Sequence, residues 1–230
     1  MESARFAGGY GTSGMVCTPC RRSPPDFVQA VAYGVYEGAL REMLHLLKYD
    51  GMRALAGVLG EALAETIEML GDLARHDGQE LLVVAVPLFR AKHAERRFNQ
   101  AELLADAAMR AMRDRRPDLY LRSAHGTLRR VKQTESQFGL TPKARRTNVR
   151  GAFAVIKPRA VCEANVLLID DIYTTGATVR ECARVLRRAG AQGVYVATLA
   201  RAQTDATGAW DGNRADVATR TQIPPEQAIR

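Results

Sequence analysis

The sequence predicts an α/β chain organised on a doubly wound parallel sheet, and three features of the residue pattern carry that expectation. Two continuous apolar runs, Leu81-Leu82-Val83-Val84-Ala85-Val86 and Val166-Leu167-Leu168-Ile169, are short and β-branched, as strands buried on both faces are. The second run leads through a turn into a helical pattern over 177–189, a stop at Gly190 and a further apolar run over 194–199. A strand, a helix and a strand in that order form a right-handed crossover, which places ligands beyond the carboxyl ends of the strands.

The remaining elements follow in chain order. Residues 1–25 are rich in Gly, Ser and Pro and show neither helical nor strand periodicity, so they read as a loose amino-terminal segment. Leu40, Met43, Leu44 and Leu47 recur at helical spacing, and so do Leu55, Val58, Leu59, Ala62, Leu63, Thr66, Ile67 and Leu70. Two amphipathic helices are expected there, separated by a turn at Lys48-Tyr49-Asp50-Gly51. Pro87 closes the first buried strand, a basic loop follows, and helical spacing returns over 100–112. Residues 122–151 are polar, basic and weakly periodic, a length that marks a functional lid or a disordered loop. Residues 202–230 are polar and non-periodic and read as a disordered tail, leaving one domain over 26–201.

Composition bounds the function classes. The chain has 230 residues, 47% of them hydrophobic, enough for one sizeable core. No apolar run reaches the ~18 residues that span a bilayer, and the first residues lack a signal peptide's pattern, so the expectation is a cytoplasmic protein without membrane insertion. Four cysteines, Cys17, Cys20, Cys162 and Cys182, are too few and too unevenly spread for a secreted disulfide framework. Positive charge is concentrated: residues 90–159 hold 18 Lys+Arg against 6 Asp+Glu, so the remainder of this +8 chain is acidic at −4. A basic third of that kind suits an anionic partner, either a polyphosphate ligand or a nucleic acid backbone, or else is a solvated face.

The chemistry gathers in Asp170-Asp171-Ile172-Tyr173-Thr174-Thr175-Gly176-Ala177-Thr178. A turn running directly into a helix exposes successive backbone N–H groups where the helix dipole is positive, which suits a phosphate. Threonine hydroxyls add donors, and Gly176 permits backbone angles and a close approach that a Cβ would forbid. The two carboxylates would be repelled by that phosphate and must face another part of the ligand, such as vicinal hydroxyls or a cation. A ribose 5-phosphate meets both demands, with its phosphate in the turn and its hydroxyls on Asp170 and Asp171. A Walker A loop and a dinucleotide Gly-x-Gly-x-x-Gly fingerprint are both absent here. The competing reading is an acidic helix cap in an ordinary α/β domain.

Residues 166–178 resemble the signature by which type I phosphoribosyltransferases bind phosphoribosyl pyrophosphate (PRPP). Further segments are similar to the ComF/GntX-like group of that family: Lys48-Tyr49-Asp50-Gly51, Val86-Pro87-Leu88, Arg97-Phe98-Asn99-Gln100-Ala101, Thr134 with Gln137, Arg146 to Phe153, and Thr198-Leu199-Ala200-Arg201. The resemblance covers roughly residues 30–201 and implies a parallel-sheet core with a small hood. It implies that Asp170 and Asp171 hold the ribose, that Tyr173, Thr174, Thr175, Gly176, Ala177 and Thr178 wrap the 5-phosphate, and that the loop after Pro87 holds pyrophosphate. Arg90, Lys92, Arg96 and Arg97 then lie where the leaving group needs neutralising, with Mg²⁺ accompanying PRPP. Arg129, Arg130 and Lys132 would belong to a lid. Asn99-Gln100 is suited either to orienting a ligand or to capping the next helix.

Two departures stand out. Where the group commonly has a four-cysteine zinc module, this chain has only Cys17-Thr-Pro-Cys20, so Cys17 and Cys20 are weak zinc candidates and zinc is not expected. Arg97 stands where the group has glycine.

The leading functional expectation is transfer of phosphoribosyl from PRPP to an unidentified nitrogenous acceptor base. The alternative is a competence or DNA-processing accessory that binds DNA or a DNA-uptake helicase, with PRPP as a regulatory ligand. Few aromatic residues interleave with the basic ones, which argues against a dedicated single-strand stacking platform.

Overall fold

The computed structural model describes residues 18–71, 79–89, 97–133 and 142–202. Its centre is a five-stranded sheet, all parallel, in the order β1-β7-β6-β2-β3. The strands are β1 (Gln29–Val35), β2 (Leu81–Ala85), β3 (Leu121–Ser123), β6 (Asn165–Tyr173) and β7 (Gly193–Arg201). A separate antiparallel pair, β4 (Leu128–Arg130) and β5 (Phe153–Val155), forms with helix α5 (Pro142–Val149) the small hood. The other helices are α1 (Thr18–Arg22), α2 (Gly38–Tyr49), α3 (Leu55–Glu68), α4 (Gln100–Arg115), α6 (Pro158–Val161) and α7 (Ala177–Arg188).

Both sheet faces are covered, which is why the strands read as unbroken apolar runs. Along β2, Leu81 and Val83 join one cluster and Leu82 and Val84 the other. The first cluster is closed by Leu44 and Leu47 of α2, Leu59, Leu63 and Ile67 of α3, and Leu104 and Met112 of α4. The second is closed by Val179, Cys182, Ala183 and Leu186 of α7 together with Phe153 and Val149 of the hood. A fully buried leucine such as Leu63 or Leu104 contributes roughly 2 kcal/mol of burial free energy. Helices α3 and α4 meet at Gly60, where a Cβ would stand 2.9 Å from the Ala107 carbonyl carbon.

The expected crossover is present, with three differences from the sequence reading. Strand β1 lies in a segment whose first recognisable period begins only at Leu40; among the described residues its one sheet partner is β7. The basic stretch 122–151 is no simple connection, because it carries the end of β3, β4 and α5. Strand β6 does not stop at Ile169 but runs on to Tyr173, since Asp170, Ile172 and Tyr173 pair with Thr198, Ala200 and Arg201 of β7. The acid pair therefore belongs to the strand, and only residues 174–176 form the turn.

Strand order locates the cleft. After β2 the chain crosses through α4 to β3, whereas after β6 it crosses through α7 to β7, in the opposite direction. Adjacent strands that diverge in this way open a crevice beyond their carboxyl ends, the usual ligand position in a doubly wound sheet. The neighbours at that switch point are β2 and β6. No helix among the described residues is long and apolar enough to cross a membrane.

Candidate functional site

At the switch point, the acid pair is divided by the alternation of strand side chains. Leu167 and Ile169 enter the first core cluster, Val166 and Leu168 the second, and the alternation carries on into the two aspartates. Asp171, 6% exposed, meets the α2 and α4 side. Its Oδ2 lies 2.7 Å from Lys48 Nζ at the end of α2 and accepts a hydrogen bond from Gln100 Nε2, at the start of α4, at 3.1 Å. All three residues are largely out of water, so these are charge-assisted contacts at reduced dielectric.

Asp170 turns towards the other side. Its carboxyl is pushed up to about 8, first by burial and then by the adjacent Asp171 charge, with Lys48 pulling the other way. The Asp171 backbone N–H donates to Asp170 Oδ1 at 3.0 Å. Arg130 of β4 is near enough for the two charges to act on one another; burial lowers the guanidinium's pKa, while Cys182 and Asp170 raise it. Arg130 lies over the Phe153 ring with its Cζ 5.4 Å from the centroid. The strand period thus turns Arg130 inward and leaves Arg129 exposed, and Lys132 beyond β4 is exposed as well. Of the three lid candidates, the structure brings only Arg130 to the acid pair.

Immediately after β6 comes the turn. Gly176 has φ 72° and begins α7; a Cβ there would collide with the Tyr173 hydroxyl and stand 2.6 Å from Tyr173 Cζ. Left-handed backbone and the ring together require glycine. Thr175 Oγ1 is buried and makes no hydrogen bond among the described residues, an orphan polar atom in a turn whose backbone faces the helix start. Ala177 is buried, and Thr174 and Thr178 are partly exposed.

On the β2 side, the Val86 N–H donates to Ile169 O at 2.8 Å, so the Val86-Pro87 loop leaves directly beside the acid pair. Of the two roles expected for Asn99 and Gln100, the capping one falls to Asn99. Asn99 caps α4, accepting from Ala101 N at 3.1 Å, and its amide donates to Val86 O at 3.1 Å, tying α4 to the loop. Gln100 instead orients Asp171. Arg97 adopts φ 62°, a left-handed backbone that glycine takes more readily than arginine. Arg90, Lys92 and Arg96 lie outside the described residues, as do Cys17, Thr134 and Gln137.

The hood is anchored on α7. Buried Glu181 accepts from the Gly151 N–H at 2.7 Å and from Arg184 at 2.6 and 2.8 Å, and these donors hold its carboxyl below the usual range against the effect of burial. Arg145 of α5 is 4% exposed; burial lowers its pKa, and its Nε has no hydrogen-bond partner among the described residues. Cys20 is buried beside Arg180, whose guanidinium reaches Cys20 Sγ at 3.1 Å and donates to Ser23 O at 2.8 Å. Among the described residues Cys162 and Cys182 are free thiols.

Sequence reasoning missed Lys48 as a site residue, and it did not show that Gln100 reaches Asp171. Lys48 stands in a short motif that reads as a turn, and nothing in its spacing shows that the end of α2 abuts the end of β6.

No protein-family model matches the chain. Over 191 residues it is 31% identical to the DNA utilization protein YhgH of Escherichia coli K12, covering 82% of this chain and 79% of that one. Over 189 residues it is 29% identical to competence protein F of Haemophilus influenzae, covering 81% and 78%. Over 166 residues it is 29% identical to competence protein ComFC of Streptococcus pneumoniae, covering 72% and 65%. Among solved structures, a hypoxanthine-guanine phosphoribosyltransferase from Schistosoma mansoni in complex with IMP aligns at a TM-score of 0.39 with 16% identity, covering 69% of this chain and 62% of that one.

Proposed function

The chain belongs to the ComF family, that of competence protein F and the DNA utilization protein YhgH, and on that premise we propose that it binds PRPP and transfers the phosphoribosyl group to a nitrogenous acceptor. One observation carries the reading: at the switch point of a parallel sheet, an acid pair is followed within a few residues by a glycine turn holding an orphan threonine hydroxyl. Ribose hydroxyls suit the carboxylates, and a 5-phosphate suits the Thr174-Thr175-Gly176 turn and the α7 start. In the reaction the C1–O bond to pyrophosphate breaks, a C1–N bond to the acceptor forms, and the acceptor's proton leaves to solvent. Arg97, with Arg90, Lys92 and Arg96, would neutralise the departing pyrophosphate.

Magnesium fits this arrangement as a passenger of PRPP. Asp171 already carries an internal cation in Lys48, so the phosphate oxygens are the better hard-cation donors, and the metal would supply charge neutralisation on the leaving group.

The test is calorimetric titration of Mg²⁺·PRPP into the protein, with Asp170→Asn/Asp171→Asn as control. Binding that disappears in the control supports the reading; a folded protein that does not bind sinks it. A second reading rests on the names of the relatives: a DNA-processing accessory in which PRPP is regulatory. The exposed Arg129 and Lys132 of the hood suit a phosphate backbone. If DNA binds there, Arg129→Ala/Lys132→Ala weakens binding and flattens its salt dependence by about one unit of slope for each phosphate no longer neutralised.

A further inference from the structure

Lys48 makes no contact with the ligand in the reading above, yet it makes a short contact to the acid pair. Its ammonium stands 2.7 Å from Asp171 Oδ2 with the two side chains only 12% and 9% exposed. Placing an ammonium and a carboxylate in such a setting costs several kcal/mol of desolvation per ion, which a lone ion pair seldom repays. Gln100, 5% exposed, spends its amide on the same oxygen. Two donors converging on one oxygen from two different helices fix the rotation of the carboxylate as well as its charge. The helices are themselves held: Leu44 and Leu47 anchor α2 in the core, and Asn99 pins the start of α4 to Val86.

We propose that Lys48, with Gln100, is a positioning residue that aims the Asp171 carboxylate at a ribose hydroxyl and so sets the selection of ribose over deoxyribose phosphates. The inference rests on the PRPP reading. A carboxylate free to rotate accepts from water as readily as from a sugar hydroxyl, whereas one held in place meets the hydroxyl without a further loss of freedom. A site built to hydrogen-bond a hydroxyl rejects the analogue lacking it, because its own buried polar group is then left unpaired. Lys48 touches Asp171 and is assigned no contact with the ligand. Among the described residues, the other charged groups around the pair are Asp170 on β6 itself and Arg130 from the hood.

The experiment measures binding of ribose 5-phosphate, its 2-deoxy and 3-deoxy analogues and inorganic phosphate to the full chain and to Lys48→Met, Lys48→Arg and Gln100→Leu. Circular dichroism verifies that each variant is folded. The wild type is expected to prefer ribose 5-phosphate by about tenfold over whichever deoxy analogue binds worse, the worth of a hydrogen bond to a charged group. Lys48→Met reduces that preference to about twofold while inorganic phosphate binds as before, Lys48→Arg restores part of it, and Gln100→Leu has the smaller effect. If folded Lys48→Met keeps the wild-type preference, the positioning role is overturned and the PRPP reading stands. If Lys48→Met does not fold, Lys48→Arg and Gln100→Leu decide: an unchanged preference in both overturns the proposal. A wild type that binds none of the sugar phosphates sinks both readings together.

Discussion

Asp171 and Asp170 are neighbours in β6, but they stand in two different kinds of surroundings. Asp171 lies against the helical layer of α2, α3 and α4, with donors from Lys48 and Gln100 on one oxygen. Asp170 faces the side on which α7 and the hood lie, where the charged neighbour is Arg130 on a three-residue strand. One carboxylate is set by long helices rooted in the core. The other lies on the side of a small two-stranded unit whose connection to α7 runs through Glu181 and Gly151. The helical side holds its carboxylate by direct contacts from two helices, whereas Arg130 and Asp170 act on one another through charge.

The largest effect is expected from Asp171→Asn, which removes the carboxylate and strands the Lys48 ammonium. We expect a loss of about 3 kcal/mol in chemical denaturation, since breaking a buried pair costs more than the pair is worth. Mg²⁺·PRPP affinity should fall at least tenfold. A variant as stable as the wild type would show that the helical side is not the rigid one.

Asp170→Asn should act in the opposite direction. Its carboxyl is raised from the ordinary range near 4 to about 8, so the folded state holds a proton that the unfolded state has released. Below pH 4 both states are protonated and Asp170 makes no difference. As pH rises from 4 to 8 the wild type loses stability, and the cost is complete above 8. The asparagine variant carries no such cost, and its advantage should be absent at pH 4 and about 1–3 kcal/mol at pH 8, discounted for the partial exposure of the residue. Melting curves across that range decide it; a constant offset at all pH values would contradict the assignment.

Glu181→Gln sharpens the comparison on the hood side. Weakening the Gly151 and Arg184 contacts should cost about 1–2 kcal/mol. Hydrogen exchange should quicken at 149–155 while β6 and β7 stay protected. The smallest effect is at Arg97, whose left-handed backbone favours glycine: Arg97→Gly should raise stability by about 1 kcal/mol, measured by thermal melting, with the loop entering α4 as the only part affected.

Much of this fold could be read from the chain because its strands are covered on both sides. Leu81 to Val86 and Val166 to Ile169 are apolar at every position, so they announce themselves without alternation. Strand β1 is weaker, Gln29 to Val35 carrying Tyr33 and Gly34 at an edge, and its residues lie between the loose segment and the first helical period with no pattern that marks a strand. The acid pair and the glycine turn were legible because local chemistry dictates them. Their division between two faces was not, because polar residues in a strand look like the end of the strand until the pairing of Asp170 with Thr198 is known. The convergence of Lys48 and Gln100 on Asp171 was hidden for a different reason. They lie 123 and 71 positions before Asp171 in the sequence, and only the packing of three elements brings them to one oxygen.

The strand order also bears on how the chain comes to be folded. Among the described residues β1 pairs with nothing but β7, and Ala30 must find Val196 across nearly the whole described length of the protein. During synthesis β1 leaves the ribosome early and waits, its ladder unsatisfied, until the last strand of the sheet emerges. Contacts of such long sequence separation are slow to form and leave an open strand edge in the interval. Closure of the sheet is therefore a late event, and with it comes the joining of β7 to β6 that sets the acid pair in place.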